Sequence, residues 1–201
     1  MRPARSCLVL VGALVLAACS TTAFHSTWKA PEAKPVSARG EKVIALVVSA
    51  NQASRRAAED ALARELTRRG AVGIAAYTVL GDADLKNEAQ IKGAFEKAGA
   101  AGVVVLRPVG KEKEVYTTPS VYMGPSYGTL WGGYYPGAWS APQVHTNTIV
   151  IVETLVYSLR QNKLVWAGES RTTNPSDVDA FVQELAAEAV EAMKKQGVLA
   201  E

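Results

Sequence analysis

The chain has 201 residues, with 22 Lys and Arg against 19 Asp and Glu, two histidines and two cysteines, and a formal net charge of +3. Residues 1–18 hold two of the arginines, so without them the balance is 20 to 19. That even charge excludes a nucleic-acid binder built on a basic stripe.

Arg2 and Arg5 form a short cationic start, Leu8 to Ala18 an apolar run, and Leu16-Ala17-Ala18-Cys19 a small-residue ending before a cysteine. This is a targeting segment, and the run is shorter than the roughly 20 residues a membrane-spanning helix needs. The tetrapeptide resembles the lipobox of bacterial lipoproteins. The resemblance implies cleavage before Cys19, a diacylglyceryl group on its sulfur, acylation of the new amine and thus a membrane partner reached through lipid. Two or more acyl chains anchor a protein stably where one does not. Ser20 stands where the family's inner-membrane retention signal has Asp, which implies the periplasmic face of the outer membrane. Cleavage also removes Cys7, leaving a domain with no disulfide.

Residues 19–41 are rich in Ser, Thr, Ala and Pro and read as a flexible tether with a reach of roughly 25 Å. The periplasmic domain is expected over 42–201. Lys42 to Ser49 is a β-branched run expected to be a strand buried on both faces. Gln52 to Arg69 then turns helical, with Ala58, Ala61, Leu62 and Leu66 on one face and Gly70 past its end. Its arginines read as a solvated face, because Asp60 precedes Arg64 and Glu65 precedes Arg69 at i,i+4. Ala71 to Leu80 is a second strand, and a helix is expected from Gly81-Asp82-Ala83-Asp84 to Lys97, stopped by Gly99. Gly102 to Pro108 is a third strand that can continue to Thr118.

Val144 to Ser158 and Lys163 to Thr172 read as a hairpin across Arg160-Gln161-Asn162. Asn174-Pro175 reads as the cap and first turn of a last helix, with Val178, Phe181, Val182, Leu185, Ala186, Ala189 and Met193 inward. The sum is an α+β (α/β) domain: a single mixed β-sheet of about five strands with helices packed mainly on one face.

Residues 115–152 lack Asp, Glu, Lys and Arg, yet hold seven of the chain's 14 aromatic residues. The insertion at 116–143 reads as a long loop, and Tyr127, Trp131, Tyr134, Tyr135 and Trp139 are its candidate contacts for a ligand or partner. Two readings stay open: a binding surface, or rings packed on the protein's own sheet. Catalytic residues, a metal site and a cofactor are not expected. The histidines are His25, in the expected tether, and His145, at a strand start, and no HExxH, CxxC or phosphate-loop spacing occurs. Glu153, set among Val150, Ile151, Val152 and Leu155, is the carboxylate expected to be partly buried and paired with an arginine.

The segments Glu153-Thr-Leu-Val-Tyr-Ser158 and Lys163-Leu-Val-Trp-Ala-Gly-Glu-Ser-Arg-Thr172, with a final helix ending in Gly197-Val-Leu, resemble the C-terminal half of small proteobacterial envelope lipoproteins of unknown function. The resemblance implies an outer-membrane-anchored, non-enzymatic role in envelope interaction or assembly, with another envelope protein as partner. The alternative is a glycan- or lipid-binding module using 127–139.

Overall fold

The structure is a computed structural model that describes residues 21–80, 87–118, 122–123, 138–139 and 142–199. Eight strands are described: β1 (Thr22–Lys29), β2 (Lys42–Val47), β3 (Val72–Ala75), β4 (Gly102–Thr118), β5 (Tyr122–Met123), β6 (Ala138–Trp139), β7 (Gln143–Ser158) and β8 (Lys163–Thr173). The helices are α1 (Gln52–Arg68), α2 (Glu88–Lys97) and α3 (Val178–Lys195).

Six strands form one mixed sheet in the order β1-β8-β7-β4-β2-β3, and β5 pairs with β6 apart from it. β2 is parallel to both β3 and β4, while the β4–β7, β7–β8 and β8–β1 pairs are antiparallel. The expected mixed sheet is thus present with six strands. The helices lie two against one: α1 and α3 cover Ala45, Val47, Leu106 and Val152, while α2 sends Phe95 against Ile44, Val103 and Val105 on the opposite face. β2 contributes to both clusters because its side chains alternate and both its faces are covered. All three helices end in a glycine with φ between 63° and 91° (Gly70, Gly99, Gly197). In each, the next residue's N–H closes back on the helix, as Ala71 does on the Leu66 carbonyl.

The sixth strand comes from the segment expected to be a tether. Thr22 to Lys29 pairs with β8 from Thr22↔Thr172 to Lys29↔Trp166, with a bulge between Phe24 and Ser26. Phe24 meets the Trp166 ring edge-on at 5.4 Å, whereas Trp28 stays about half exposed. Residues beyond β1 are also tied down: Ala30 N–H donates to the Val165 carbonyl, Val36 N–H to Val198 and Gly40 N–H to Gly70. The misreading has a physical cause. β1 is an edge strand with one face in water, and its bulge breaks the alternation that marks a strand.

Three other elements differ from expectation. β3 stops at Ala75, where a 3₁₀ turn over Ala76–Thr78 begins and the Thr78 hydroxyl donates to the Ala75 carbonyl. The described α2 begins at Glu88, capped by the Asn87 side chain; its expected start at 81–84 lies outside the described residues. α3 is capped by Asp177, whose carboxylate accepts from Ala180 N–H at 2.8 Å, and not by Asn174. Asn174 has φ 49° and its side chain accepts instead from Thr148 N–H.

Candidate functional site

β4 and β7 outrun the sheet. β2 leaves β4 at Val47↔Leu106, and β8 leaves β7 at Thr173↔Ile149, yet β4 and β7 stay paired to Thr118↔Gln143. Past Glu112↔Ile149 they form a two-stranded ribbon. Pro108, which has no N–H to donate, and a bulge between Pro108 and Gly110 mark the place where β4 has lost its β2 neighbour. Four residues after Thr118 and four before Gln143, Tyr122 pairs with Trp139, so the β5–β6 pair falls in the ribbon's register.

Alternation sorts the ribbon into two faces. Glu112, Glu114, Tyr116, His145 and Asn147 share one, and the Tyr116 and His145 rings stack at 5.2 Å. Lys111, Lys113, Val115 and Val144 share the other. Val115 is 66% and Val144 67% exposed, the most of any large hydrophobic side chain described. Glu112 is held by Arg171 of β8, so the last charges sit at the ribbon's root.

Of the residues singled out in the sequence, Trp139 lies in β6; Cys19, Tyr127, Trp131, Tyr134 and Tyr135 lie outside the described residues. His145 does not approach Glu153, which faces Arg107 across the β4–β7 ladder and accepts from its Nε at 2.8 Å. The expected arginine partner of Glu153 is therefore Arg107.

Glu153 is partly buried, as expected, but the deeply buried carboxylates among the described residues are Glu59 and Glu65 on α1, at 1% and 4% exposure. Glu59 Oε1 accepts from Val47 N–H at 3.2 Å and Oε2 from Tyr77 N–H at 2.9 Å, with Arg55 Nε 4.0 Å from Oε1. Glu59 thus ties the end of β2 to the turn after β3. Burial raises its pKa above the ordinary 4.5, and the two N–H groups and Arg55 pull the other way. The neighbouring Tyr77 hydroxyl donates to Asp60 at 2.9 Å, and that bond raises the phenol's pKa. Glu65 accepts from Arg69 at 2.9 Å and meets Arg68 at 2.7 Å.

The sequence carried a signal for Glu59: Arg55, Glu59, Leu62 and Leu66 follow i, i+4, i+7, i+11, so the ion pair occupies the apolar stripe. A raised folded-state pKa favours the native state below about 4.5 and loses that contribution as pH climbs through the folded value. Wild-type stability relative to Glu59→Gln should therefore fall as pH rises above 4.5 and then level off. Urea unfolding of both proteins across pH 4–8 checks this, and a difference that rises with pH would contradict it.

Between α1, α3 and the sheet lies a cavity of about 40 Å³ lined by Leu62, Leu106, Val156, Leu185 and Met193, with Thr154 and Glu65 among its few polar residues. It has room for a water but not for an organic ligand. Among the described residues no group of three His, Cys, Asp or Glu could hold a metal ion, and no helix is long and apolar enough to cross a membrane.

No family model and no curated protein matches this chain. Solved structures with a similar outline include the PelC dodecamer from Paraburkholderia phytofirmans, 12% identical with a TM-score of 0.45 over 88% of this chain and 98% of that one. Lipoprotein GNA1162 from Neisseria meningitidis is 15% identical, with a TM-score of 0.42 over 78% and 99%. At these values neither carries an assignment of function.

Proposed function

We infer that the protein is an outer-membrane-anchored periplasmic lipoprotein with a non-enzymatic role in envelope interaction or assembly. The observation that carries the reading is the cationic start, apolar run and Leu16-Ala17-Ala18-Cys19 ending. Two residues after Cys19 the chain is already held, since Thr21 N–H and Thr22 N–H both donate to the Glu184 carboxylate of α3. The buried carboxylates support a structural role for the titratable core, since Glu59 spends both oxygens on backbone N–H groups. The ribbon supports an interaction role because its two strands, which flank the charge-free aromatic segment in the sequence, outrun the sheet.

Cys19→Ala is expected to abolish fatty-acid incorporation and to leave the leader uncleaved. Metabolic labelling with a radioactive fatty acid measures this, and label retained on the variant would sink the assignment. Crosslinking in intact envelopes followed by pull-down then separates a protein partner from glycan.

A further inference from the structure

We propose that the β4–β7 ribbon is a membrane-contacting arm, with Val115 and Val144 lying in the lipid of the same bilayer leaflet that holds the anchor. The proposal rests on the reading of Cys19 as the lipidated residue and adds the orientation of the domain on the membrane.

The argument starts from where the chain enters the sheet. Thr173 N–H donates to the Thr21 carbonyl, Thr173 is opposite Ile149, and Ile149 is opposite Glu112. Thr21, Thr173, Ile149 and Glu112 therefore form one row across the sheet. β1 runs from this row into the domain, so Cys19 leaves at the same end from which the ribbon projects. Two residues span at most about 7 Å, which brings Cys19 no further than the level of Glu114↔Asn147. The ribbon continues six residues past Glu112 to Thr118, about 20 Å at roughly 3.4 Å per residue. It outreaches the anchor by more than 10 Å, so a short-tethered lipid at the bilayer surface carries the ribbon into contact with it.

The chemistry changes at that level. Lys111, Glu112, Lys113 and Glu114 precede it, and no Asp, Glu, Lys or Arg follows until Glu153. The last charged residue of β4 thus coincides with the furthest level that Cys19 reaches. Beyond it come the exposed Val115 and Val144 and the half-exposed Tyr116, an aliphatic and aromatic surface of the kind that seats at a membrane interface. Lys111 and Lys113, exposed on the same face as the two valines, lie where anionic headgroups would meet them.

The test uses the mature lipoprotein in vesicles of phosphatidylethanolamine and phosphatidylglycerol, with nitroxide attached at Val115→Cys, Val144→Cys or, at the opposite end of the sheet, Val72→Cys. All three positions are exposed, so folding should survive. Lipid contact predicts that the ribbon labels relax readily with oxygen and are several-fold less accessible to a nickel chelate than the Val72→Cys label. Equal nickel accessibility in protein that floats with the vesicles overturns the proposal while leaving the anchor intact. Low accessibility to both reagents also overturns it, since protein contact and not lipid then covers the ribbon. Protein that fails to float refutes the anchor and the proposal together.

Discussion

A chain that begins at Glu41 is expected to lose most of its stability and its cooperative melting, whereas one that begins at Thr21 should keep both. The shorter chain lacks β1, and β8 then becomes a bare edge strand. Seven residue pairs of the β1–β8 ladder disappear. With a net contribution of about 1 kcal/mol per hydrogen bond and about 2 kcal/mol for the contact of Phe24 on Trp166, the loss is at least about 5 kcal/mol. Domains of this size are stable by only about 5–15 kcal/mol. Thr172, whose hydroxyl meets that of Thr22 at 2.8 Å in the interior, also loses its partner. Thermal melts of the two chains decide the matter, and matching midpoints would mean that residues 22–40 act as a tether after all.

Trp166→Ala should cost about 3–5 kcal/mol, the usual range for a large buried aromatic cut back to a methyl group. The indole is fully buried, and its Nε1–H donates to Gln196 Oε1 at 2.9 Å. It packs with Val156, Val165, Ala189, Met193 and Val198. One side chain thereby joins β8, the end of α3 and, through Phe24, the edge strand. Neighbouring Gly168 leaves the rings their space, since a Cβ there would lie 2.5 Å from the indole and 2.7 Å from the Phe24 ring. Chemical denaturation measures the loss. A Trp166→Ala and Phe24→Ala double-mutant cycle should show coupling of about 0.5–1.5 kcal/mol for the aromatic pair. A loss under about 1 kcal/mol would place the centre of this cluster elsewhere.

Legibility in the sequence followed burial. β2, β4, β7 and β8 announce themselves as runs of Val, Ile and Leu because they sit inside the sheet, and α3 shows its stripe because Val182, Leu185, Ala189 and Met193 face the core. β1 was hidden by its exposed face and its bulge at His25. Asn174-Pro175 looked like a helix start because Asn caps helices and Pro suits a first turn, but the Asn174 side chain was already engaged with Thr148. Glu153 is legible as a partly buried, arginine-paired carboxylate because it lies in an apolar strand. Glu59 is not, because a carboxylate on a charged helix looks solvated until a backbone with unpaired N–H groups comes to meet it. The ribbon's strands were legible, but that they leave the sheet beside the N-terminus is a matter of topology.

The ribbon behaves as an adjustable ruler. It meets the sheet through a bulge, and the β5–β6 pair Tyr122↔Trp139 falls at the same spacing as Thr118↔Gln143, so its length is uncoupled from the core. Taking two residues from each strand would shorten it by about 7 Å and return every remaining side chain to its own face. Taking one from each would turn the set over, because strand periodicity is two. Length can therefore vary among descendants of this chain only in steps of two, and a series of such matched deletions would grade how far the arm reaches while the domain below stays the same.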